Sequence, residues 1–269
     1  ENVIRKKNDI NCIPLHEPYF EDTNAWKYVK NCIDTGWVSS SGDWIEKFEK
    51  GICSYTGSKY SIVVNNGTVG LRLALYVSGV ERNDEVLIPP FSFVATANAV
   101  SHLGAIPHFI DIEGTTLSMC PKSLEKRLDQ IAVKKEGKVF NIKTGRRIAA
   151  LLPVHVFGIP ANLSELLKIS KSWGIPIIED AAEALGSWFN ISNKKKHCGL
   201  IGDLGVISFN GNKLITSGGG GVIITNNKEL ALRAKHLSRT AKINHPWEFD
   251  HDEIGWNDSL PSLNAALGS

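Results

Sequence analysis

The chain has 269 residues, 42% of them hydrophobic and 22% charged, the composition of a globular protein long enough for a substantial core. Thirty Lys and Arg stand against 28 Asp and Glu, a net charge of +2, so no bulk charge draws the chain to nucleic acid or to a membrane surface. No apolar run approaches the roughly 20 residues that span a bilayer, and residues 1–7 carry no apolar signal core, which leaves small molecules and copies of itself as the expected partners.

Apolar positions Trp26, Val29 and Ile33 share a helical spacing, and Gly36 supplies a stop, so a helix precedes any strand. After Gly57 the pattern changes to short apolar runs at 60–64, 85–88, 108–112, 148–154, 175–178, 206–209 and 222–225, read as strands buried on both faces. Helical stretches lie between many of them. One begins after residue 66 with Leu71, Ala74 and Leu75 on one side; another covers 162–173, opened by a capping-box-like Asn162 and Glu165, with Leu166, Ile169 and Trp173 on one face. The alternation predicts an α/β domain with a mainly parallel sheet and ligand sites beyond the carboxyl ends of its strands. Residues 113–147, polar and Lys-rich, read as an exposed insertion in a single domain over 1–269. The five cysteines, Cys12, Cys32, Cys53, Cys120 and Cys198, have neither zinc nor redox spacing and read as small hydrophobes in a reducing cytoplasm.

Three segments that follow apolar runs carry chemistry. Val64-Asn65-Asn66-Gly67-Thr68 leads from a strand into a helix, and its free N–H groups with the Thr68 hydroxyl suit a phosphate, although Asn-Gly turns are also commonplace connections. Ile178-Glu179-Asp180 ends an apolar run in two carboxylates; Asp180 suits a cationic ligand such as a pyridine nitrogen, with a Mg²⁺ ligand as the rival reading. Lys213 lies between bending backbone, five residues after Ser208 and just ahead of Gly218-Gly219-Gly220-Gly221. A hemmed-in lysine loses its proton readily and forms Schiff bases, whereas a lysine beside glycine is more often surface decoration. The basic run Lys194-Lys195-Lys196 reads as a solvated face.

Taken in this order, those segments resemble the DegT-type sugar-nucleotide aminotransferases, a fold-type-I family that uses pyridoxal 5'-phosphate. The resemblance extends to Asp34-Thr35-Gly36-Trp37-Val38-Ser39-Ser40, to 89–98, to Pro153-Val154-His155-Val156-Phe157-Gly158, and to Ser208-Phe209-Asn210-Gly211-Asn212-Lys213. It implies a seven-stranded type of sheet with flanking helices, and a smaller C-terminal domain that this sequence does not include. It further implies Lys213 as the Schiff-base lysine and proton shuttle, and Asp180 on the pyridine nitrogen. Gly67, Thr68 and Ser208 fall to the phosphate, Phe93 to the ring face, Glu183 (Gln in many relatives) to the ring hydroxyl, and Asn257 to the neighbouring subunit's cofactor in a homodimer. Within the family the chain is similar to the subgroup that aminates a nucleotide-linked 4-keto-6-deoxy sugar, with glutamate as donor, on the way to legionaminic acid-like nonulosonates in surface polysaccharides. Two other readings have the same fold: a sugar dehydratase, which carries histidine in place of Lys213, and a truncated non-catalytic homologue. Where relatives carry arginine this chain has Ser259, and the role of His155, as orienting group or structural histidine, stays open.

Overall fold

A computed structural model describes residues 17–191 and 193–269, so Cys12 lies outside the described residues. Two helices, α1 (Ala25–Thr35) and α2 (Asp43–Thr56), come first and each ends at a glycine in the left-handed conformation, Gly36 and Gly57. Next come β1 (Tyr60–Val64), α3 (Gly67–Val77), β2 (Glu85–Ile88), α4 (Val94–Ser101) and β3 (Ile106–Phe109). They are followed by α5 (Pro121–Ile131), the hairpin β4 (Ala132–Lys135) and β5 (Lys138–Asn141), then β6 (Ile148–Leu151), α6 (Leu163–Trp173) and β7 (Ile178–Asp180). A second hairpin, β8 (Trp188–Ile191) and β9 (Lys194–His197), precedes β10 (Leu204–Ser208), β11 (Gly221–Thr225), α7 (Lys228–Ser238) and α8 (Ser262–Gly268).

Strands β1, β11, β10 and β7 pair in that order, as do β3, β2 and β6. Parallel bridges from Leu151 to Ile177 and from Val154 to Asp180 join the two groups, giving the order β1-β11-β10-β7-β6-β2-β3. Within this sheet the pairings are parallel except the two made by β11, which runs against both neighbours. One face of the sheet packs Val86, Val206 and Ile223 against Leu71 and Ala74 of α3 and Ala234 of α7. The other packs Val63, Ile207 and Val222 against Ile45 and Phe48 of α2 and Ala265 of α8, and Leu87 and Leu151 against α5 and α6. With alternate residues of each strand committed to opposite helical layers, the strands must be apolar throughout, which is why they appear as unbroken runs.

The predicted first helix is present as α1 and stops at Gly36; it buries Ala25 and Cys32, leaves Trp26 (76%) and Ile33 exposed, and the Cys32 thiol donates to the Ser262 carbonyl. Three expectations are corrected. Strand β3 is an edge strand with Ile106 and Phe109 exposed, so it is not covered on both faces. Asn162 makes no side-chain cap on α6, and Glu165 pairs with Lys168. Finally, residues 113–147 are not a surface insertion throughout, because Leu124, Leu128 and Ile131 of α5 are fully buried while the lysines project from the β4–β5 hairpin. The cysteines of the described residues are free thiols, and burial pushes Cys198 up to about 12, so it behaves as an inert apolar side chain. Among the described residues no helix is long and apolar enough to cross a membrane.

Candidate active site

At the carboxyl ends of the parallel strands a cavity of about 580 Å³ opens, lined by Gly67, Thr68, Phe93, Asp180, Glu183, Ser208 and Lys213 among others. Sequence reasoning therefore placed seven residues that the fold does bring together. Asn257, the eighth, does not line this cavity; it is exposed, and its backbone carbonyl accepts from the Asn65 amide at 3.2 Å.

One wall is an anion cradle. Asn66 caps α3 by accepting from the Val69 N–H at 2.9 Å, and the Gly67 and Thr68 N–H groups belong to the first helical turn, which has no intrahelical acceptors. A Cβ on Gly67 would lie 3.1 Å from the Ser208 Cβ and 3.4 Å from its hydroxyl, so the glycine keeps open a polar cleft between the helix start and β10. Close approach of β11 sets the turn in place: a Cβ on Gly221 would come within 2.7 Å of the Asn66 carbonyl carbon.

The base is Asp180, at the end of β7 and buried. The Thr96 hydroxyl donates to one carboxylate oxygen at 2.6 Å and the Ala182 N–H to the other at 3.2 Å. Burial pushes its carboxyl above the ordinary range, and those two donors bring it only part of the way back. Thr96 is a site residue that pattern reading missed, since its partner lies 84 positions away.

Glu179, directly before it, serves the scaffold. Its carboxylate accepts from the N–H groups of Gly199, Ile201 and Gly202 at 2.6–2.7 Å and from His155 Nε2 at 2.9 Å. Burial alone would raise its carboxyl, but His155 and the backbone donors hold it below the usual range. Because the Ala161 N–H donates to His155 Nδ1 at 3.0 Å, the imidazole proton sits on Nε2 and both ring nitrogens are engaged. His155 also lines the cavity; its backbone N–H bonds the Asp180 carbonyl at 2.9 Å, and Asp180 N–H bonds the Pro153 carbonyl, which clamps β7 at the pocket.

Lys213 projects from the 209–220 loop, whose base is closed by bonds from Phe209 N–H to the Gly220 carbonyl and from Ser217 N–H to the Phe209 carbonyl. Its side chain is only 13% exposed, with Nζ 3.1 Å from a Glu183 oxygen and 5.9 Å from the Phe93 ring centre. The other Glu183 oxygen accepts from the Phe157 N–H at 2.9 Å. As a set, the pocket offers an anion cradle, a buried carboxylate for a cationic ring atom, an aromatic face and an amine for an electrophilic carbonyl. The cluster of metal-ligating type among the described residues, His236, Asp252 and Glu253, lines no part of this pocket, and Glu253 pairs with Arg233.

Ser259 is 6% exposed and bridges Val64, and the adjacent Asp258 is paired with Arg72, which also lies over the Trp256 ring. An arginine at 259 would have to displace this packing before reaching any phosphate. Ser259→Arg is therefore expected to lower the thermal midpoint by several degrees, the scale of overpacking and an unpaired buried charge, without tightening cofactor binding. A titration in which the variant binds pyridoxal phosphate more tightly at unchanged stability would contradict this.

A family profile described as the DegT/DnrJ/EryC1/StrS aminotransferase family matches residues 20–269. The chain is 34% identical over 256 residues to a GDP-perosamine synthase of Escherichia coli O157:H7, a match covering 95% of this chain and 64% of that protein. It is also 34% identical, over 90% of its length and 58% of the relative's, to the putative pyridoxal phosphate-dependent aminotransferase EpsN of Bacillus subtilis. A crystal structure of a DegT DnrJ EryC1 StrS aminotransferase from Brucella abortus superposes with a TM-score of 0.79 at 28% identity, over 91% of this chain and 62% of that one. The chain thus spans about 64% of the first of these curated relatives, and its architecture is that of the fold-type-I pyridoxal-phosphate enzymes.

Proposed function

Since this chain belongs to the DegT/DnrJ/EryC1/StrS aminotransferase family, we propose that it transfers an amino group, from glutamate, to a nucleotide-linked 4-keto-6-deoxy sugar with the help of pyridoxal phosphate. The observation that carries the reading is the convergence of Lys213, buried Asp180 and the Gly67–Thr68–Ser208 cradle on one cavity. That donor set fits the cofactor: an anion at one end, a protonated ring nitrogen at the other, an aldehyde for the lysine. A GDP-linked substrate follows from the likeness to GDP-perosamine synthase.

When bound, pyridoxal phosphate supplies an electron-withdrawing ring and a carbon that carries the amino group from donor to acceptor. The remaining work falls to side chains. Thr68, Ser208 and the first-turn N–H groups of α3 hold the phosphate, and Phe93 lies against the ring. Asp180 keeps the ring nitrogen protonated, its own charge steadied by Thr96. Lys213, whose amine enters the cavity, would hold the cofactor's aldehyde and would carry a proton on its Nζ to and from the reacting carbon in each half of the exchange. Glu183, already 3.1 Å from the Lys213 Nζ, would also be an acceptor for the ring hydroxyl.

The protein acts as a cytoplasmic homodimer in which exposed Asn257 serves the partner's cofactor. Support comes from Asn257 lying outside its own cavity and from the exposed Trp26 and Ile33 of α1 and exposed Trp37 just after it. Mass spectrometry of a GDP-linked 4-keto-6-deoxy sugar incubated with the cofactor-loaded chain and ¹⁵N-glutamate is expected to show the carbonyl replaced by a labelled amine. Unchanged sugar with every donor offered would overturn the proposal.

A further inference from the structure

Phe157 has φ 54° and ψ 23°, the left-handed region in which a bulky side chain is disfavoured. Its surroundings hold it there. The Phe157 N–H donates to Glu183 at 2.9 Å, Gly158 N–H to the His155 carbonyl at 3.0 Å, and the Ser187 hydroxyl to the Gly158 carbonyl at 2.7 Å. No burial offsets the strain, because the ring is 71% exposed, whereas an apolar side chain of this size usually stabilises a fold by leaving water. Instead it forms a wall of the cavity together with Phe91, itself 43% exposed, the ring centres 6.2 Å apart and the planes at 75°. Strain without burial, at the mouth of a cavity with a polar base, marks a surface shaped for a ligand.

We propose that Phe157, backed by Phe91, is the platform against which the sugar ring of the acceptor packs, and thus determines specificity; this rests on the aminotransferase reading above. A pyranose presents a C–H-rich face, and a 6-deoxy sugar adds a methyl group. Aromatic rings bind such surfaces by dispersion and by removing them from water, with no need of a hydrogen-bond partner. Glutamate offers carboxylates and no comparable face, so the platform serves the acceptor and not the donor. The carboxylate of Glu183 ties both parts together, since it contacts Lys213 through one oxygen and fixes the Phe157 backbone through the other.

Saturation-transfer NMR on the cofactor-loaded chain tests this, with GDP-fucose as a GDP-linked 6-deoxyhexose that has no ketone to react, and GDP alone as the control. Transfer to the sugar-ring and methyl protons is expected. Phe157→Ala should weaken GDP-fucose binding about threefold to tenfold, the range of one aromatic contact, and leave GDP binding unchanged. Phe157→Gly should lose the same affinity yet melt no lower than the parent, because glycine adopts the left-handed backbone freely. Unchanged affinity in both variants, transfer confined to guanine protons, or no binding by the parent chain would overturn the platform. Cofactor loading is read separately from its absorbance. A chain that loads but shows no dependence on Phe157 defeats the platform alone, and one that fails to load defeats the aminotransferase reading itself.

Discussion

Borohydride reduction after incubation with pyridoxal phosphate is expected to leave the label on Lys213, and Lys213→Ala is expected to abolish both the label and amino transfer. Schiff-base formation needs an amine held beside the aldehyde, and lysines on the open surface have nothing to hold the aldehyde next to them. Lys194, Lys195 and Lys196 lie on a hairpin, largely in water and without an anion cradle. Lys213 is the lysine that lines the cavity with Thr68, Ser208 and Asp180. Its removal takes away the covalent anchor and the proton carrier together, so rate should fall by several orders of magnitude, beyond the 10²–10⁴ that one acid–base group typically supplies. The variant should keep its fold, since the loop is closed by backbone bonds at Phe209, Ser217 and Gly220 rather than by the lysine. Peptide mapping decides the matter: label spread over surface lysines, or retained in the variant, would remove Lys213 from its role.

Motifs at strand ends were readable because the chemistry there is local. Asn66-Gly67-Thr68 caps and opens α3, Asp180 ends β7, and Lys213 follows β10 within five residues of Ser208, so each motif sits where a run of apolar residues stops. Partners contributed by distant segments were not readable. Thr96 reaches Asp180, and Glu179 gathers His155 and the 199–202 backbone, across separations that no periodicity encodes. The direction of β11 was hidden for a similar reason, because a doubly buried strand has the same composition whichever way it runs. Helix α1 and its Gly36 stop were legible from the spacing of Trp26, Val29 and Ile33, but that spacing does not say what covers exposed Trp26 and Ile33. Phe157 stands in the sequence only as part of the 153–158 motif, and its backbone angles and exposure are what set it apart.

Asp180→Asn is expected to separate stability from function. Burial is the main influence on this carboxyl and raises it above the ordinary range, with Thr96 and the Ala182 N–H offsetting part of the effect. An acid whose folded value lies above its unfolded one binds more protons when folded. Its ionisation therefore weakens the fold as pH rises through the window between the two values, and the penalty is complete above the folded value. The amide carries no such penalty and can still bond both Thr96 and the Ala182 N–H. Without cofactor, the variant should melt at or above the parent at neutral pH, and the difference should shrink as the pH falls through the window and the parent's carboxyl takes up its proton. Neighbouring Glu179 does not blur the comparison, because its own partners, His155 and three backbone N–H groups, are untouched by the change. Catalysis should move the other way. A neutral partner cannot hold the ring nitrogen protonated, and losing one preorganised charge of this kind slows chemistry on the order of a hundredfold or more, here in the single-turnover step with glutamate. A variant that melts clearly lower than the parent at neutral pH, or that takes the amine from glutamate as fast, would show that the buried carboxylate is kept for the fold and not for a cation bound above it.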